Sequence, residues 1–131
     1  WSPVGHGSGC GPTPTAARMF EVVLAAQAAG VEAVRAGALT GEVDAACRSV
    51  IAEAGWADAF VHSTGHGVGL DIHEAPWVAD GKTDALEADH VVTVEPGVYL
   101  SEHGGVRIED SVVVTDSGCR VLTNTAKQFH V

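Results

Sequence analysis

From Thr15 to Arg35 apolar residues recur at helical spacing, with Phe20, Val23, Leu24, Val31 and Val34 on one face. The pattern predicts a largely buried amphipathic helix. Gln27 falls inside the apolar stripe, so its amide needs a hydrogen-bond partner once buried. Gly37 is placed to end this helix. Thr40 is a suitable N-cap for a second helix from Gly41 to about Ala54, closed by Gly55, with Val43, Cys47, Val50 and Ile51 as its inner stripe.

After Gly55 the texture changes to short apolar runs broken by Gly, Asp and Pro, which predicts strands at Phe60 to His62, Leu70 to Ile72, His90 to Val94 and Arg107 to Val114. Ser111 to Thr115, the turn Asp116-Ser117-Gly118 and Cys119 to Leu122 read as a hairpin. The expected class is α+β, with two helices covering one face of a mainly antiparallel curved sheet and the other face free for a site. An irregular lead over residues 1–14 precedes one domain at 15–131. The chain begins at Trp1 rather than Met, and the Gly- and Pro-rich lead suggests processing, truncation or engineering.

Composition narrows the partners. At 131 residues, 46% hydrophobic and 18% charged, the chain is globular and long enough for a core of mostly Ala, Val, Leu and Ile. A net charge of -10 repels phosphate backbones and argues against nucleic acid. No apolar run approaches the roughly 20 residues that cross a bilayer, and no signal peptide is visible, so the expectation is no membrane and a cytoplasmic setting. Cys10, Cys47 and Cys119 are widely spaced and read as reduced thiols.

Candidate chemistry lies in three segments: His62-Ser63-Thr64-Gly65-His66-Gly67 with His73, Val94-Glu95-Pro96-Gly97, and Arg107-Ile108-Glu109-Asp110. Glu95 and Glu109 sit in apolar strands, where an ionised carboxylate is costly unless something positive compensates it, and a metal ion is the simplest compensation. Alternation sends Arg107 and Glu109 to one face and Asp110 to the other. Glycines on both sides of His66 let backbone approach an ion or substrate closely. Glu102, His103, His90, His130, His6 and the acidic stretch from Asp80 to Asp89 read as ordinary polar turns and are left out of the site.

In that order, from about Pro12 to Val131, these segments resemble the aminopeptidase P and prolidase (Xaa-Pro peptidase) family of metallopeptidases, and the chain is similar to the carboxyl-terminal half of their pita-bread catalytic domain. The resemblance implies His66, Glu95 and Glu109 as metal ligands. It also implies His62 and His73 at the peptide, Glu95 moving a proton, Arg107 steadying the site, and Tyr99 in a lesser part. Two divalent ions, manganese, cobalt or zinc, belong to the complete family site. The family's remaining ligands are two aspartates ahead of the first helix, and this chain has no aspartate before Asp44. One ion or none, and impaired activity, is therefore expected here.

The implied reaction is hydrolysis of the peptide bond preceding proline, in a substrate with proline second, by a metal-bound hydroxide. A homo-oligomer is expected. Two other readings stay open: a methionine aminopeptidase, against which the Arg-Ile-Glu-Asp segment argues, and a catalytically silent pita-bread module that binds peptides or a protein. Removal of half a domain would also uncover apolar strands that drive self-association.

Overall fold

A computed structural model describes residues 12–129. Most of the lead, with Cys10 and His6, and the terminal His130 lie outside the described residues. Helix α1 spans Pro14–Ala33, so it takes in the last residue of the expected lead; the Thr13 side chain accepts a hydrogen bond from the Ala16 N–H at 3.1 Å, and Pro14 has no N–H to leave unpaired. The helix ends at Ala33 rather than at Gly37. Val34 turns extended and places its side chain fully in the core, and Gly37, with φ 84°, makes the later turn into α2.

The buried stripe of α1 is Met19, Val23, Ala26, Gln27 and Gly30. Phe20, Leu24 and Val31 pack on its border, half-buried. Gly30 belongs to the stripe because the helices and sheet meet there: a Cβ on it would lie 2.4 Å from Cys47 Sγ and 2.8 Å from Val94 Cγ1. Helix α2 spans Thr40–Glu53, and the cap falls on Leu39, whose N–H donates to the Glu42 carboxylate at 3.0 Å. Thr40 is thus inside the helix and fully buried. Gly55 closes α2 as expected, with φ 86°.

The strands are β1 Gly65–Gly67, β2 Glu74–Val78, β3 Val91–Val94, β4 Gly97–Leu100, β5 Gly104–Arg107, β6 Asp110–Val114 and β7 Cys119–Val121. They form a five-stranded sheet ordered β2-β1-β3-β6-β7 and a two-stranded pair β4-β5. Every described pairing is antiparallel. Val92 and Val94 of β3 and Val112 and Val114 of β6 share the core with both helices, and the β6–β7 hairpin falls where its turn residues put it.

Three strand expectations are corrected. Phe60 to His62 is irregular backbone after a single 3₁₀ turn, Ala57–Ala59. Leu70 to Ile72 is a bend, not a strand: the Asp71 N–H donates to the Glu74 carboxylate at 3.0 Å, and Leu70 and Ile72 are 105% and 85% exposed. Arg107 to Val114 is interrupted at Ile108 and Glu109. Opposite that break stands Pro96, which has no N–H for the ladder.

The interruption leaves the register intact. Val94 pairs with Asp110 on one side and Gly97 with Arg107 on the other, so the continuous register sets Glu95 across from Glu109. Because Val92 and Val94 face the helices, alternation sends Thr93, Glu95 and Glu109 to the opposite face. Asp110 faces the helices, and its carboxylate gives Gln27 the required partner: Gln27 Nε2 donates to it at 2.7 Å, with Thr123 Oγ1 donating at 2.5 Å and Lys127 Nζ at 2.6 Å. Among the described residues no helix is long and apolar enough to cross a membrane.

Gln27→Ala strips a buried carboxylate of one donor and should lower stability in urea by about 1–3 kcal/mol; an unchanged midpoint would show that the amide is dispensable. Burial pushes the Cys47 thiol from its ordinary 9.0 up to about 12, a rise that the Asp44 carboxylate reinforces and that Thr64 and Arg48 oppose. The stability this thiol contributes is fully present below pH 9 and is lost as pH rises toward 12. Alkaline unfolding should therefore be blunted in Cys47→Ala relative to its own neutral-pH stability, and native Cys47 should resist thiol reagents at neutral pH.

Candidate functional site

On the sheet face away from the helices, β1 and β3 bring His66 and Glu95 together. His66 Nε2 lies 3.3 Å from Glu95 Oε1, with side chains 13% and 14% exposed. Thr93 ties the two strands into one unit: its hydroxyl donates to Glu95 Oε1 at 2.9 Å and accepts from the His66 backbone N–H at 3.1 Å. Such proximity requires Gly65, since a Cβ there would stand 1.9 Å from the Thr93 carbonyl oxygen. The Glu95 N–H donates to the Thr64 carbonyl at 2.7 Å and so fixes the backbone just past β3.

The His66 ring is oriented by its other nitrogen. Nδ1 lies 2.8 Å from the Gly67 carbonyl oxygen, which only accepts, so Nδ1 carries a proton, and whenever the ring is neutral Nε2 turns its lone pair toward Glu95. Two acceptors then face each other at 3.3 Å. That arrangement calls for something positive between them, a proton or a metal cation.

His73 is exposed and stands edge-on to His66, ring centroids 4.5 Å apart. His62 is half-buried and pairs with Tyr99: its Nδ1 donates to the Ser63 carbonyl at 2.7 Å, leaving Nε2 to accept from the Tyr99 hydroxyl at 2.9 Å. Gly105 makes this contact possible, because a Cβ there would meet the Tyr99 ring at 2.4 Å. Arg107 Nε lies 3.8 Å from Glu95 Oε2 with a side chain 52% exposed, a weak solvent-screened attraction.

Glu109 is exposed, and among the described residues no group of three or more His, Cys, Asp or Glu side chains is arranged to hold a metal ion. The expected trio of His66, Glu95 and Glu109 is therefore assembled only as the His66–Glu95 pair. Like charges across a ladder repel, and Glu109 stands in water where the strands break. With Arg107 it borders a cleft of about 440 Å³ toward Thr125 and Lys127 of the terminal segment; none of His62, His66, His73 and Glu95 lines that cleft.

Residues 4–116 match the model of metallopeptidase family M24. The chain belongs to that family. It is similar to the Xaa-Pro dipeptidase of Pyrococcus furiosus, 43% identical over 118 residues that make up 90% of this chain and 34% of that one. Among solved structures it resembles the Xaa-Pro dipeptidase from Bacillus anthracis, with a TM-score of 0.88, 45% identity, and 90% of this chain and 33% of that one covered. It also resembles the dipeptidase PepE from Mycobacterium ulcerans, with a TM-score of 0.87, 43% identity, and 90% and 32% covered. This M24 chain spans about a third of the length of these relatives, and its helix pair on an antiparallel sheet is a partial pita-bread fold.

Three contributors lie outside the residues expected from the sequence. Thr93 is legible in hindsight, since it lies two residues before Glu95 on one strand face. Asp44 and Arg48, one helical turn apart on α2, hold the segment that carries His62, and their acid–base spacing was the available signal. The β1–β3 approach predicts that Gly65→Ala drives the strands apart, costing about 3 kcal/mol or more in chemical denaturation and shifting the amide resonances of His66 and Glu95. A variant with wild-type stability and spectra would mean that the ladder has slack.

Proposed function

We propose that residues 15–131 form the carboxyl-terminal half of the catalytic domain of a metal-dependent Xaa-Pro peptidase, acting on peptides with proline in second position. The observation that carries this reading is His66 Nε2 set 3.3 Å from the Glu95 carboxylate with Nδ1 engaged by the Gly67 carbonyl, which leaves Nε2 and the carboxylate free to share a cation. The register that sets Glu109 across from Glu95 on the same face supports a third donor there. Relatives named Xaa-Pro dipeptidase give the substrate class.

In this reading His66, Glu95 and Glu109 hold the metal, and manganese, cobalt or zinc suits a set of carboxylates and one imidazole. Divalent ions held there would supply the chemistry of water activation and carbonyl polarisation. The chain's own groups do the rest. The Nδ1–H bond to Gly67 keeps the His66 lone pair aimed, the Thr93 hydroxyl fixes Glu95 Oε1, and Arg107 offsets the carboxylate charge. Glu95 would hold the proton released from water, while His62 with Tyr99, and His73, would position the peptide. Exposed Leu70 and Ile72 suit contact with another copy, and a cytoplasmic homo-oligomer is the setting we assign.

With the donor set incomplete in this chain, Mn²⁺ should bind at one weak site and Ala-Pro should be cleaved slowly. Loss of the free Mn²⁺ signal in electron paramagnetic resonance measures the binding, and His66→Ala and Glu95→Gln should each abolish it. Equal binding in those variants, or turnover of Ala-Pro that survives a chelator, would contradict the metal reading. Two tight Mn²⁺ sites would contradict the incomplete donor set.

A further inference from the structure

The segment from Phe60 to Thr64 has neither helix nor strand to hold it, yet it carries His62 and leads directly into β1. What fixes it comes from α2. Asp44 is fully buried, where a carboxylate persists only when surrounded by opposite charge and donors. Arg48 meets both of its oxygens, Nε to Oδ2 at 2.5 Å and Nη2 to Oδ1 at 3.3 Å, and the Thr64 N–H donates to Oδ1 at 3.1 Å.

The same guanidinium reaches further. Nη1 donates to the Phe60 carbonyl at 3.1 Å, Nη2 to the His62 carbonyl at 2.7 Å, and its carbon stands 4.3 Å from the centre of the Phe60 ring. Phe60 in turn meets the His62 ring edge-on at 5.1 Å. One planar fork thus serves a carboxylate, two carbonyls and an aromatic face, a combination that a lysine ammonium cannot reproduce. The linkage continues inward, because the Thr64 carbonyl accepts the Glu95 N–H at 2.7 Å.

We propose that Asp44 and Arg48 are positioning residues of the site: buried Asp44 and half-buried Arg48 on α2 together set the place of His62 through the Phe60 and His62 carbonyls, and of Glu95 through Thr64. Their importance for catalysis rests on the peptidase reading above; their geometry does not. Neither residue reaches the sheet face itself. The pair acts through backbone that would otherwise be free to shift, and an ångström of displacement at such a site costs about a hundredfold in rate.

Arg48→Lys, Arg48→Gln and Asp44→Asn in this chain test the proposal, followed by amide hydrogen exchange, the cross-peak between the His62 and Tyr99 rings, and Mn²⁺ affinity. In Arg48→Lys, which keeps the charge that Asp44 needs, the Thr64 and Glu95 amides should exchange at least about tenfold faster while Val112 in β6 stays protected. The ring cross-peak should weaken, and Mn²⁺ affinity should fall about tenfold. Arg48→Gln and Asp44→Asn should reproduce the local loss.

Unchanged exchange and an unchanged ring contact in Arg48→Lys and Asp44→Asn would overturn the proposal. So would a uniform loss of protection that includes Val112 in Arg48→Lys, since that is general destabilisation rather than positioning. If the wild-type chain binds no Mn²⁺ at all, the metal reading fails, and the exchange and ring measurements still decide the role of the pair.

Discussion

Burial of Val92 and Val94 against the helix pair decides where charge can stand in this molecule. With those two side chains committed to the core, β3 has no choice but to turn Thr93 and Glu95 to the other face. The same constraint propagates across the ladder, because Val94 pairs with Asp110 and so sends Asp110 toward α1 and Glu109 away from it. Two neighbouring acids thereby acquire opposite duties. Asp110 is a structural anchor for Gln27, Thr123 and Lys127, and Glu109 joins Glu95 on the polar face.

Backbone closeness supplies the second ingredient. His66 could not lie against Glu95 unless β1 ran tight against β3, and Gly65 is what lets it do so. Thr93 then shares one hydroxyl between the His66 backbone and the Glu95 carboxylate, so the strand pair and the polar pair are the same object. The closeness of that imidazole and carboxylate is the feature on which the proposed metal site rests.

Legibility in the sequence followed the physics of each element. The helices were readable because apolar spacing over many residues is a strong signal, and Gly55 ended α2 where its conformation required. The apolar stretch of Leu70 to Ile72 misled because identity alone does not bury a residue; a bend closed by Glu74 leaves both side chains in water. The β4–β5 hairpin was hidden because its strands are short and glycine-rich, with no alternating apolar run to mark them, and Gly105 is the space that Tyr99 fills. At the site, His66 and Glu95 could be paired from their motifs, but Thr93, Asp44 and Arg48 act through hydrogen bonds that periodicity does not encode.

A crystal of this chain grown with Mn²⁺ and measured at the manganese absorption edge tests the central claim most directly. The account predicts an anomalous peak within coordination distance of His66 Nε2 and Glu95, with the Glu109 side chain drawn in from solvent to meet it. Anomalous density elsewhere, or none with His66 and Glu95 side by side as a plain ion pair, would contradict it.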